Sequence, residues 1–248
     1  VRGLVVAARY LTILPLPAGA IRQSPEALGR AAPWFPVIGL GLGAVLVGVE
    51  RLTALVFPTL LAALLTVTVW KLLTGGLHLD GLADCLDGLA GRDPEHRLAI
   101  MRDSRIGAFG AIGLILLLLL EIVAVAELAP GTRGLALLVV PVVARAGPPL
   151  LVRLFPAARP DGAGAAFGAS VSRWAAPIAL AIALAVALGA LRVVGVLVFV
   201  VALASAVALG RFFASRVLGI TGDVLGATIE VAELVGLLTV SAWTHLLR

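Results

Sequence analysis

The chain has 248 residues, 61% of them apolar and 13% charged, with a mean hydropathy of +1.12. A soluble domain is nearer half apolar and about a quarter charged, so a disordered chain, a soluble dinucleotide-binding enzyme and a disulfide scaffold are excluded, and a polytopic membrane protein remains. The net charge of +5 is read as loops facing the cytoplasm, not as a nucleic-acid surface.

A membrane helix needs about 20 predominantly apolar residues. The first apolar stretch is broken by Arg9, Pro15 and Pro17, which argues against a cleavable signal peptide and assigns targeting to the first membrane helix. Residues 33–49 and 52–70 carry no charge and are separated by Glu50 and Arg51, which predicts two helices with a tight turn at that pair. A polar loop is expected over about 74–105. The third span, 106–126, passes Glu121, whose carboxylate is expected to face the bundle interior. Span 134–152 is apolar apart from Arg145. The glycine-rich stretch 161–168 reads as a flexible loop. Spans 174–191 and 193–210 flank Arg192 and predict a helical hairpin, and 224–247 closes the chain with Glu230 and Glu233 inside it. The expectation is an all-α bundle of about seven transmembrane helices, forming a single membrane-embedded domain over 1–248 with an acidic cytoplasmic loop at about 74–105.

The basic residues orient this layout. With the N-terminus inside, 14 of them fall on inner segments, Lys71, Arg102, Arg105 and Arg159 included, and four (Arg51, Arg133, Arg192 and Arg248) on outer ones. That asymmetry follows the positive-inside rule and predicts a multi-pass protein of the cytoplasmic membrane whose polar segments face the cytoplasm. Trp34, Trp70, Trp174 and Trp243 lie near predicted helix ends, the interfacial belt position. Cys85 is the only cysteine and forms no intrachain disulfide.

The densest chemistry is in GGLHLDGLADCLDG, residues 75–88. Asp80, Asp84 and Asp87 stand at i, i+4 and i+7, one face of a helix. Like charges at that spacing repel unless a cation lies between them, and carboxylate oxygens suit Mg²⁺, which keeps waters and substrate phosphates as further ligands. A solvated helix end is the plain alternative. His78 is a candidate general base or phosphate ligand, or an ordinary interfacial histidine. Asp223, Glu230 and Glu233 form a second acidic set in TGDVLGATIEVAE, with both glutamates one to two turns into the membrane. At that depth they face a polar cavity or a partner; the alternative to a metal role is an ion pair with Arg145 or Arg211. Arg102, Ser104 and Arg105 precede the third span and are candidates to cradle phosphates. Positive-inside flanking is the alternative, and Asp103 and Ser104 could serve as caps.

These motifs, in their order GGLHLDGLADCLDG, IMRDSRIGAFG and TGDVLGATIE, with YLTILPLP near the start and WFPVIG after it, resemble the cobalamin synthase family, the adenosylcobinamide-GDP ribazoletransferases. The resemblance covers nearly the whole chain. Cys85 and Leu86 stand where a pair such as Thr-Ala is expected, and the acidic positions are kept. The resemblance implies a Mg²⁺-dependent integral membrane enzyme that joins adenosylcobinamide-GDP to α-ribazole or its 5′-phosphate and releases GMP. It implies that Asp80, Asp84 and Asp87 hold Mg²⁺, and that Asp223, Glu230 and Glu233 complete a metal site or position the ribose hydroxyl. One of these carboxylates or His78 then takes the proton, and Arg102 and Arg105, with Ser104, meet the phosphates. The lipid bilayer is the expected environment, nucleic acid is not a partner, and a homo-oligomer is left open.

Two other readings compete. The DG-x-x-A-D-x-x-D-G stretch is also similar to the DG-x-x-A-R motif of CDP-alcohol phosphotransferases, with Asp84 where those enzymes have Arg. A secondary transporter would use Glu121, Glu230 and Glu233 as an ion path, although no paired broken helices occur in matching halves.

Overall fold

The computed structural model describes residues 2–15, 24–159 and 162–246; the expectations for Pro17, Arg22, Asp161, Leu247 and Arg248 lie outside them. Helix α1 (Arg2–Leu11) is short and amphipathic and buries Val6, Ala7, Ala8 and Leu11. Helix α2 (Pro25–Ala31) starts at Ser24, whose hydroxyl accepts from Ala27 N at 3.3 Å, an ordinary N-cap followed by proline in the first turn. A 3₁₀ turn, Ala32–Trp34, leads into the membrane helix α3 (Phe35–Ala54).

Helix α3 corrects the turn expected at Glu50 and Arg51. The helix runs through both residues, and the chain turns only before α4 (Thr59–Leu73), with Pro58 at the N-cap. Glu50 is tolerated there because Arg133 pairs with it at 3.0 Å inside the bundle. Arg133, expected on an outer segment, is itself buried and donates to the carbonyls of Ala126 and Leu128.

The polar stretch 74–105 is two helices, not a loop: α5 (Leu77–Gly88) and α6 (Pro94–Ile100). Gly75 and Gly76 have φ of +65° and +68°, a region open to glycine at no steric cost. They let α5 leave α4 at 88°. The bend takes α5 out of the direction of α4.

Helix α7 (Ala108–Glu127) turns Ile112, Ile115, Leu116 and Leu119 outward, a lipid-facing row. Helices α8 (Pro130–Arg145) and α9 (Gly147–Leu154) together form one apolar stretch long enough to cross a membrane. Stretch 161–168, expected as a loop, belongs from residue 163 to helix α10 (Ala163–Ser170); its alanines outweigh its glycines in helix preference. Helix α11 (Ala175–Val217) contains the predicted hairpin. Arg192 is non-helical at φ 54°, ψ −129°, and a Cβ on Gly195 would lie 1.8 Å from the Ala187 carbonyl oxygen. The two arms therefore fold back on one another. Helix α12 (Gly222–Leu246) ends the described chain. Five helices among the described residues are long and apolar enough to cross a membrane, six with the bent α4–α5 pair, and dividing α11 at Arg192 brings the number to that expected.

The bundle is built around α8. Gly39 and Gly43 of α3 press on it: added Cβ atoms would lie 2.4 Å and 2.7 Å from the Pro141 and Leu138 carbonyl oxygens. Such small residues let membrane helices meet backbone to backbone. One apolar core joins α3, α4, α7, α8, α11 and α12. A second gathers α1, α5, the end of α11 and the start of α12, the helices that carry Asp80, Asp84, Asp87 and Asp223 among them. Pro156 and Ala158 exchange backbone hydrogen bonds with Ile220 at 2.8 and 3.0 Å, which ties the chain after α9 to the start of α12.

Candidate active site

Helix α5 crosses the start of α12 at two glycines. A Cβ on Gly81 would meet the Asp223 carbonyl oxygen at 2.7 Å, and one on Gly226 would meet His78 Cα at 3.2 Å. The glycines of the two acidic motifs are thus the contact that brings the motifs together. Thr221 sets the Asp223 carboxylate: its hydroxyl donates to Asp223 Oδ2 at 3.2 Å and accepts from Val224 N at 3.2 Å. Asp84, half-buried on α5, has its pKa pushed up to about 7, by burial first and then by the charges of Asp80, Asp223 and Asp87. That is the electrostatic mark of a place where a cation is favoured.

Asp87 does something the sequence did not disclose. Its Oδ2 accepts from Gly107 N at 2.7 Å and its Oδ1 from Gly110 N at 2.9 Å. The carboxylate therefore caps the N-terminus of α7 and locks α5 onto it, with the favourable charge for a helix start. An added Cβ at Gly107 or Gly110 would lie 2.4 Å from that carboxylate. We expect Gly110→Ala to destabilise the protein by about 1–3 kcal/mol, read as a lower melting temperature in detergent. Gly41→Ala, where nothing lies within 4 Å of the new Cβ, should leave it unchanged; equal effects would show that the cradle is not the cause.

Two cavities flank the aspartates, each of about 260 Å³. The first is lined by Tyr10, Phe35, Phe167, His78, Asp80 and Asp223, among others. The second is lined by Arg102, Arg159, Gly162, Gly164, Thr221 and Asp223. Gly222 and Asp223 line both, so Asp223 stands at their junction. His78 is buried, and its Nδ1 has no hydrogen-bond partner.

Sequence reasoning assigned Arg102 to phosphates, and it lines the basic cavity. Arg105 and Ser104 line neither cavity. Arg105 is turned to solvent and pairs with Asp103 at 2.5 Å, which holds Asp103 at about 2, below the usual carboxylate range, chiefly through hydrogen bonds from Arg105. Arg159, read only as a flanking charge, lines the basic cavity and donates to the Leu98 carbonyl at 3.0 Å. Tyr10 was likewise noted only within a motif.

Glu230 and Glu233 are drawn away from the aspartates. Lys71 Nζ lies 2.5 Å from Glu230 Oε2, 3.0 Å from Glu121 Oε1 and 3.1 Å from Glu233 Oε2. Arg145 pairs with the other oxygen of Glu233. Ligand atoms of these three glutamates lie within 4.8 Å of one another, yet the space between them is taken by the ammonium. Lys71, expected at an inner flank, is therefore buried and central. Trp70, expected in the interfacial belt, is fully buried, with Lys71 Nζ 4.8 Å from its ring centroid. Glu121 faces the interior as expected.

Residues 3–241 match the family model for cobalamin-5-phosphate synthase. The chain belongs to that family. It is 39% identical to the adenosylcobinamide-GDP ribazoletransferase of Brevibacillus brevis, over 94% of this chain and 96% of the relative. It is 40% identical to that of Bradyrhizobium diazoefficiens, over 97% and 93%, and 38% identical to that of Pseudomonas paraeruginosa, over 94% of each. No solved structure matches the chain. Membership makes the chain a multi-pass membrane enzyme of cobalamin synthesis and sets aside both the CDP-alcohol phosphotransferase and the transporter readings.

Proposed function

We propose that this enzyme transfers the cobinamide phosphate of adenosylcobinamide-GDP to a ribose hydroxyl of α-ribazole or its 5′-phosphate and releases GMP, at the aspartates where α5 meets α12. The observation that carries this is the position of Asp223 at the junction of a basic and an aromatic cavity, beside Asp80 and Asp84. One chamber suits phosphates and the other an aromatic nucleoside, and their shared wall is where the two would react.

The acceptor oxygen attacks the phosphorus that bears cobinamide. The bond from that phosphorus to the bridging oxygen breaks, and GMP leaves with the bridging oxygen. Asp223 takes the hydroxyl proton, since its carboxylate is fixed by Thr221 at the junction. Arg102 and Arg159 balance the phosphate charge in the basic chamber. Asp87 holds α5 in place through α7. Asp80 and Asp84 are the residues that would hold Mg²⁺; both offer hard carboxylate oxygens, and the raised Asp84 marks a cation-favouring place. Bound there, Mg²⁺ supplies neutralisation of the pyrophosphate charge. Glu230 and Glu233, ion-paired to Lys71 and Arg145, stand below the site as its support. The excess of basic residues on the segments that carry the site supports a cytoplasmic orientation in the inner membrane.

The test is GMP release by the protein in nanodiscs, given adenosylcobinamide-GDP and α-ribazole 5′-phosphate with and without Mg²⁺. Mg²⁺-dependent GMP in equal amount with a cobalamin product is the expected result. A folded sample that releases no GMP overturns the reading.

A further inference from the structure

We propose that the chamber walled by Tyr10, Phe35 and Phe167 holds the flat bicyclic base of the acceptor nucleoside, with Tyr10 as the side chain that contacts it. This rests on the ribazole-transferase reading above and names the substrate subsite within it.

The three rings come from α1, α3 and α10 and lie nearly parallel. Phe35 and Phe167 are 5.8 Å apart at 6°, Tyr10 and Phe35 are 5.9 Å apart at 18°, and Tyr10 and Phe167 are 6.5 Å apart at 21°. Both phenylalanines are buried, whereas Tyr10 is 37% exposed. Tyr10 is thus the accessible ring, held in one orientation by two others, and a planar ligand can lie against it.

Size and polarity choose the ligand. At about 260 Å³ the chamber falls just below the roughly 300 Å³ at which pockets for small molecules begin. It takes a bicyclic base and part of its sugar, and a corrin macrocycle has to stay outside. Leu11, Leu77, Pro148, Leu225 and Ile229 extend its apolar wall, and Asp80 and Asp223 form its polar side. Any carbonyl or amino group of a base turned to that apolar wall would be buried unpaired, which is costly. A benzimidazole-type base brings no exocyclic polar group. It keeps one ring-nitrogen lone pair after glycosylation, and His78 lines the same chamber. With the base inside, the sugar points to Asp223 at the junction, and the nucleotide of the other substrate falls to the basic chamber.

The experiment compares Tyr10→Leu and Tyr10→Phe with the parent protein in nanodiscs. Binding of α-ribazole 5′-phosphate is measured by calorimetry, and KM is measured for each substrate. Tyr10→Leu should weaken α-ribazole 5′-phosphate, in Kd and KM, by about tenfold, with KM for adenosylcobinamide-GDP unchanged and only the modest fall in melting temperature that the lost packing on Phe35 and Phe167 entails. Tyr10→Phe, which keeps the ring, should retain binding. A loss of affinity for adenosylcobinamide-GDP instead, or an equal loss for both, places the base elsewhere and overturns the assignment, as does an unchanged Kd in Tyr10→Leu. The binding arm reads the subsite even if turnover fails: a parent protein that binds the nucleoside through Tyr10 but releases no GMP sinks the reaction and keeps the subsite. A parent that releases GMP while Tyr10→Leu is silent does the reverse.

Discussion

Asp84→Asn is expected to lower Mg²⁺-dependent GMP release by about two to three orders of magnitude at saturating substrates, an effect of the size seen when one preorganised electrostatic group is lost. The asparagine keeps the shape and removes the charge that would hold the cation. Folding should be little changed, because Asp84 carries a charge that burial and three neighbouring carboxylates oppose. The parent protein should also show proton competition. A carboxyl held at about 7 is increasingly protonated as the pH falls below that value, and a protonated carboxyl does not ligate. The Mg²⁺ concentration for half-maximal rate should therefore rise as the pH is lowered from 8 toward 6 (chosen to bracket the shifted value), and cation binding should release protons. Full activity of Asp84→Asn at limiting Mg²⁺ would remove the metal from this carboxylate.

Lys71→Met should act on the opposite quantity. It takes the cation out of a buried cluster and leaves Glu121, Glu230 and Glu233 facing one another with Arg145 as the remaining counter-charge. Breaking a buried ion pair on one side typically costs about 3–5 kcal/mol. The measurement is thermal unfolding in detergent, where the variant should melt well below the parent. Adding Glu230→Gln to Lys71→Met should recover part of the loss, a coupling that a double-mutant cycle isolates. A Lys71→Met protein as stable as the parent would mean that the cluster contributes no net stability.

The helical architecture could be read because a membrane crossing is recorded in the length of an uncharged run. The same logic found the hairpin, since Arg192 is a single charge between two such runs and the structure turns there. It fails at Glu50, where the charge reads as a boundary although Arg133, distant in sequence, neutralises it inside the bundle. Lys71 was misread for the same reason: charge in the sequence is local, while compensation is tertiary. One signal was available, because Lys71 is a lone lysine in a chain whose other basic residues are arginines. A compact ammonium can donate to three carboxylates around one point, which a planar guanidinium does less readily.

The aspartates were legible from helical spacing, but their separate tasks were not. Asp80, Asp84 and Asp87 are equivalent as a pattern, and only the position of α7 distinguishes Asp87 as a helix cap. Tyr10 and Arg159 were invisible as site residues because their distance from the motifs in sequence says nothing about their distance in space. Their cavities form only once α1 and the segment after α9 are placed beside α12.

The Lys71 cluster also bears on how the protein enters the bilayer. Its charges come from α4, α7, α8 and α12, so any one of these helices released alone into lipid would carry an unpaired charge, at about 2.5–3.5 kcal/mol for each acid or base at the helix centre on insertion scales. Together they carry a matched set. Association of the four helices inside the bilayer therefore gains the cancellation of these charges as well as packing, and α12, which brings two of the carboxylates, completes the set.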